Sequence, residues 1–131
     1  MQYDEFIGQV QNRARLATGG EAVRATRATL EVLGQRLFGG EAKDLAAQLP
    51  REVAHFLTAE DRSESFGLQE FFRRVSEREQ VELPDAVHHA RAVISVVRDS
   101  VTEGELQDVL AQLPEEYNQL FESGSEGEMQ R

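Results

Sequence analysis

The stretch Gly40-Glu41-Ala42-Lys43-Asp44-Leu45-Ala46-Ala47-Gln48-Leu49-Pro50-Arg51-Glu52 returns as Gly104-Glu105-Leu106-Gln107-Asp108-Val109-Leu110-Ala111-Gln112-Leu113-Pro114-Glu115-Glu116. Eight of the thirteen paired positions are identical, and one constant offset, that of Gly40 to Gly104, relates every pair. Self-similarity at a fixed spacing marks an internally repeated unit, so a tandem duplication is expected. Within each copy the apolar residues fall at helical spacing: Ala42, Leu45, Ala46 and Leu49 in the first, Leu106, Val109, Leu110 and Leu113 in the second. Each set makes one face of a short helix, and Leu45, Leu49, Val109 and Leu113 are expected to be buried. Pro50 and Pro114 follow at once. Proline disfavours helix in the residue before it and suits the start of a new helix. Each copy is therefore predicted to be a short helix, a corner and a second helix. Glu41 and Asp44 fall in the first turn, where carboxylates meet the positive end of the helix dipole. Thr102-Glu103-Gly104-Glu105 adds a capping box at the start of the second copy.

Working outward, residues 2–16 read as a helix with Phe6 and Val10 on one stripe, joined by Ile7 and Ala14. Thr18-Gly19-Gly20 is expected to break it. The next helix is predicted over 21–37, with Ala22, Leu30, Leu33 and Leu37 inward, and Gly39-Gly40 ends it. Residues 50–58 turn Val53, Phe56 and Leu57 inward, and 58–66 carry no periodicity and read as a linker. Beyond it, Glu70-Phe71 and Val75 retrace Glu5-Phe6 and Val10, Pro84-Asp85-Ala86 opens the second long helix, and Tyr117, Leu120 and Phe121 close the unit. The β-branched run Val93-Ile94-Ser95-Val96-Val97 invites a strand reading, but its flanks and its counterpart at 29–33 are helical, so it is assigned to helix. The expected fold is all-α: two tandem four-helix repeats, 1–57 and 67–122, packed into one helical bundle domain over 1–122, with a linker at 58–66. The acidic tail 123–131 has little to bury and is expected to be disordered.

Composition narrows the function. The chain has 131 residues, one domain's worth, and its 40% apolar content is enough for a packed core. No apolar run approaches the roughly 20 residues of a membrane span, and no signal-peptide pattern is visible, so a cytoplasmic location and no membrane partner are expected. The absence of Cys removes thiolate chemistry and Cys-ligated metals. The net charge is −10 and unevenly placed. Residues 1–57 hold seven basic and seven acidic residues, whereas 58–131 hold seven basic and seventeen acidic ones. Nucleic-acid affinity rests on concentrated positive charge, so this balance argues against nucleic acid as the partner.

The N-terminal Phe-x3-Val, the long Ala/Leu helix and the duplicated Gln-Leu-Pro at Gln48–Pro50 and Gln112–Pro114 together resemble a prokaryotic family called domain of unknown function 2267. The resemblance spans roughly residues 1–122. It implies an all-α fold and a bacterial or archaeal source. It implies no reaction, and it carries no functional residue over to this chain.

The chemistry-bearing residues form no familiar constellation. His88 and His89 are adjacent and project about 100° apart on a helix, so they do not share one ion, and neither they nor His55 belongs to a metal spacing. Surface or packing roles are expected for all three. Asp108 and Glu115-Glu116 could pair as acid and base, but placement at helix starts accounts for them more simply. The Gly pairs lack the strand and the Gly-Lys-Ser/Thr of a phosphate loop, and no Ser lies in a nucleophile motif. No catalytic residue, no metal ligand and no cofactor is therefore assigned, and the chain is not expected to be an enzyme.

Two groups remain as candidate partner-binding residues. Gln48 and Gln112 sit beside the Pro corners, where their amides either satisfy carbonyls freed at the helix break or make paired contacts to a partner. Arg13, Arg15, Arg24 and Arg27 form a locally basic patch facing only Glu21 across residues 13–30. They are either a solvated face or a site for an acidic partner, including the acidic half of another copy. The favoured function is a protein–protein interaction or adaptor module with an unknown protein partner or weak self-association. A transcriptional regulator, reading a groove through helix–corner–helix units, is the alternative, followed by an enzyme with an unrecognised site.

Overall fold

The computed structural model describes residues 1–60 and 62–122. Helices α1 (Tyr3–Ala14), α2 (Gly19–Arg36), α3 (Glu41–Ala46), α4 (Arg51–Leu57), α5 (Leu68–Glu79), α6 (Leu83–Ser100) and α7 (Glu103–Ala111) are followed by a 3-10 turn, Glu115–Tyr117. That turn leads directly into helical residues 118–122. The described residues contain no strand, and none of their helices is long and apolar enough to cross a membrane. The all-α expectation holds. The expected tail, 123–131, lies outside the described residues.

The two longest helices, α2 and α6, are central. Helix α2 packs against α1, α4, α5 and α6, while α6 packs against α1, α2 and α5. The β-branched run in α6 is helical because it is enclosed: Val93, Ile94, Ser95, Val96 and Val97 are all buried. A helix apolar on all sides has to lie inside the molecule. Phe6 and Val10 from α1, and Phe71 and Val75 from α5, meet these helices with no exposed surface. Phe71 also makes an edge-on contact to Tyr117, with ring centroids 5.8 Å apart. Leu45, Leu49 and Val109 are buried as expected. Leu113 is only half-buried, because the 3-10 turn after Pro114 replaces the first turn of a regular helix and covers less of its face.

Local chemistry sets the helix ends, and two of them correct the sequence expectation. Gly19-Gly20 do not break the chain; they form the first turn of α2. Thr18 accepts from Glu21 N at 3.1 Å, and the Glu21 carboxylate accepts from Thr18 N at 3.2 Å, a complete capping box. The expected box at Thr102 is only half formed. Thr102 Oγ1 accepts from Glu105 N at 3.2 Å, but the Thr102 N–H is taken by Gln48, and the Glu105 carboxylate turns inward.

The linker is pinned to the end of α2. Glu64 N donates to Gln35 O, and Ser63 Oγ donates to Leu37 O, both at 2.8 Å. Buried Arg36 donates from Nε to Phe66 O at 2.8 Å, and Tyr117 Oη donates to the same carbonyl at 2.8 Å. Arg74 lies 3.9 Å over the Phe66 ring, a cation–π contact. Burial pushes the Tyr117 hydroxyl up to about 12, so it remains a donor throughout the neutral range.

Candidate functional site

The repeated glutamines reach across the molecule. Gln48 Oε1 accepts from Thr102 N at 2.8 Å. Gln112 Oε1 accepts from Phe38 N at 3.0 Å, and its Nε2 donates to Phe38 O at 2.9 Å. Thr102 is the counterpart of Phe38 at the offset that relates Gln112 to Gln48, so one contact is made in both directions. Phe38 lies just past the end of α2 and Thr102 just before α7, where backbone groups lack helical partners. Gln112 does satisfy a carbonyl, but in the opposite half of the chain rather than at its own Pro corner.

Arg13 is similarly engaged. Its Nη2 meets Asp99 at 2.7 Å, and its Nη1 donates to Ser95 at 3.0 Å. On α5, Arg78 donates to Glu31 at 3.0 Å and to Gln35 at 3.3 Å. Ser95 and Asp99 are the counterparts of Glu31 and Gln35 at the same offset. Helix α1 thus grips α6 at the positions where α5 grips α2.

The other three arginines are exposed but do not form one patch. Arg15 is the left-handed C-cap of α1, with φ 57°, and borders a small hollow with Gly8, Gln11, Asn12 and Leu16. Arg24 and Arg27 lie on α2 and share a polar hollow of about 550 Å³ with Arg78, Glu31, Glu60 and Gln80. Arg27 pairs with Glu31 at 3.0 Å. The structure therefore brings Arg24 and Arg27 together, and places Arg13 and Arg15 elsewhere.

The histidines divide as well. His55 and His88 are exposed, whereas His89 is buried and its Nδ1 lies 2.5 Å from a Glu79 carboxylate oxygen. Burial raises the Glu79 carboxyl above its ordinary range, and the neighbouring His89 opposes that shift. The pair joins α5 to α6 inside the protein, a packing role as expected. Asp108 departs from expectation: it occupies the second turn of α7, not a helix start, and approaches Glu41 and Glu105. Glu116 does sit at a helix start, but its carboxylate serves α5, accepting from Leu68 N at 3.1 Å.

Another concavity lies at the N-terminal ends of α5 and α6. A groove of about 950 Å³ is floored by Leu68, Phe72, Leu83 and Val87 and rimmed by Glu70, Arg73, Glu116 and Gln119. Leu83 is 49% exposed there. Arg73 is held on the rim by Glu70 at 2.7 Å and Glu77 at 3.2 Å. Hydrogen bonds from Arg73 and then Arg74 draw the Glu70 carboxyl down to about 2, so the rim stays charged. Sequence reading missed this site: Leu83 precedes the helix-opening proline and belongs to no stripe.

A family model described as "Uncharacterized conserved protein (DUF2267)" matches residues 3–120, and the chain belongs to that family. No curated protein matches it.

Proposed function

We propose that the chain is a non-catalytic binding module made of two helical repeats, 1–57 and 67–122, related by an approximate two-fold axis. It would hold a protein partner in the α5–α6 groove. The repeat reading is supported by the reciprocal Gln48–Thr102 and Gln112–Phe38 contacts and by the matching grips of Arg13 and Arg78. The partner reading is carried by Leu83, a large apolar side chain left about half exposed over an apolar floor. Apolar floors with charged rims are the usual anatomy of a protein interface. The rim carboxylates Glu70 and Glu116 disfavour a phosphate backbone in the same groove. The arginine hollow around Arg24 and Arg27 offers a second, acidic-partner surface, and self-association there would weaken with salt.

The test compares proteins captured from native lysate by the parent, by Leu83→Arg and by Arg24→Glu/Arg27→Glu, with sedimentation of each at low and high salt. All three changes are on the surface and should leave the protein folded, which a melt of each variant checks. Loss of a partner with Leu83→Arg alone supports the groove. Loss with the arginine pair alone moves the site to the hollow. Identical capture by all three refutes both.

A further inference from the structure

The repeated phrase brings its own carboxylates together. Glu41 and Glu105 occupy the same position in the two copies, and α3 packs against α7. Carboxylate oxygens of Glu41, Glu105 and Asp108 lie within 4.8 Å of one another. None of the three forms an ion pair with a basic side chain among the described residues. Dipole stabilisation at helix starts accounts for Glu41 or Glu105 singly, but not for their convergence, because like charges at this distance repel.

A second observation points to a missing partner. Glu105 is 8% exposed, and its Oε2 is buried without a hydrogen-bond partner, as is Glu41 Oε2. The capping-box position of Glu105 gives its carboxylate an obvious alternative, the N–H of Thr102. That N–H is instead bonded to Gln48, and the carboxylate faces the acidic cluster. A buried carboxylate oxygen with no donor is costly, so its position calls for a proton or a cation.

We propose that Glu41, Glu105 and Asp108 bind a hard divalent cation, Ca²⁺ fitting best, which ties α3 to α7 across the two halves of the chain. The donors are all carboxylate oxygens, with no imidazole or thiolate among them, which selects Ca²⁺, Mg²⁺ or Mn²⁺ over softer metals. A Ca–O distance of about 2.3–2.6 Å and a tolerant shell suit oxygens spread this far. Mg²⁺ requires a closer and more regular octahedron. Asp108 is exposed and Glu41 only half-buried, so water can complete the shell from that side. Burial, then the Glu41 carboxylate and the charges of Asp108 and Asp44, raise the Glu105 carboxyl to about 7, as expected of carboxylates gathered without a counter-charge. This site stands independently of the groove and its partner.

The test is calorimetric titration of chelator-stripped protein with CaCl₂, MgCl₂ and MnCl₂ at about pH 8, with melting temperature as a second readout. The expected result is one Ca²⁺ per chain and a rise in melting temperature of roughly 5–10 °C at a hundredfold excess over Kd. Glu105→Gln and Glu41→Gln should each abolish both effects while remaining folded. Asp44→Asn, which removes only a neighbouring charge, should keep the stoichiometry and weaken binding a few-fold. No binding of any of the three ions up to about 1 mM, the weak end of carboxylate sites, would overturn the proposal and leave a shared proton as the occupant. Binding unchanged in Glu105→Gln would also overturn it.

Discussion

Gly34 offers a test whose sign alone is informative. It lies within α2, where glycine costs roughly 1 kcal/mol relative to alanine because it is freer in the unfolded chain. If nothing opposed it, Gly34→Ala would stabilise by about that much. A Cβ at this position, however, would lie 2.0 Å from the Leu57 carbonyl oxygen and 2.9 Å from its carbonyl carbon. Both are backbone atoms at the end of α4, so no side-chain rotation relieves the clash. Helix α4 would have to move outward by more than about 1 Å to reach ordinary contact, uncovering Val53 and Leu57, both buried. Overpacking of this kind costs about 1–3 kcal/mol or more. With the helix gain subtracted, the expected outcome is a net loss of up to about 2 kcal/mol. The matched control is Gly8→Ala on the exposed face of α1, where an added Cβ meets nothing within 4 Å, and a gain of roughly 0.5–1 kcal/mol is expected. Urea melts followed by helical circular dichroism measure both. If Gly34→Ala stabilises to the same extent as Gly8→Ala, the close approach of α2 and α4 is wrong.

Two further outcomes are expected in the same assay. Leu45→Ala should cost about 2–5 kcal/mol, the range for a buried leucine, and Leu113→Ala, half-buried, less than about 2 kcal/mol; equal losses would contradict the difference in burial. Glu105→Gln should stabilise metal-free protein near pH 8 and match the parent near pH 4.5. The folded carboxyl is raised to about 7 from 4.5, so its ionisation penalty is absent below 4.5, grows between the two values and is complete above about 7. A gain of about 1 kcal/mol is expected once solvent screening on the exposed Asp108 side is allowed for. A gain that is the same at both pH values would refute that cause.

The helices were legible because each requires only local information. The spacing of Leu45 and Leu49 and the Pro50 and Pro114 corners follow from side chains a few residues apart, and the helical flanks of 93–97, with its counterpart at 29–33, assigned that run. The Thr18 cap was equally local: Thr18-Gly19-Gly20-Glu21 carries the same Ser/Thr-x-x-Glu signature as Thr102–Glu105, but the two glycines drew the reading toward a break. What stayed hidden depends on which elements meet. Periodicity gives Glu41 and Asp108 a solvent-facing or dipole-facing place, yet says nothing of α3 lying against α7. The constant offset was the available signal: if a two-fold axis relates the halves, as proposed, equivalent residues near it meet one another, and Glu41 and Glu105 are equivalent in sequence and close in space. Leu83 carried no such signal: it belongs to no apolar stripe, and its exposure depends on which elements meet around it.

Under the two-fold reading, the places where the halves differ are more informative than those where they agree. The contacts across the halves are retained, but the surfaces have diverged. Gly34 lets α2 touch the Leu57 carbonyl, whereas its counterpart in the second half, Arg98, donates to the Phe121 carbonyl at 2.8 Å, the counterpart of Leu57. A guanidinium thus bridges α6 to the Phe121 carbonyl where, at the corresponding place, α4 lies directly on α2. The groove shows the same divergence. Leu83 corresponds to Gly19, and Arg73, in the register that pairs Phe71 with Phe6, corresponds to Gly8. The first half has neither the apolar anchor nor the charged rim, and its hollow beside Gly8 measures about 360 Å³ against about 950 Å³. A partner that needs both features finds them once per chain. On the proposed reading, the groove would take one partner molecule per chain, and the α3–α7 contact is where residues of both proposed halves, Glu41 and Glu105, approach one another.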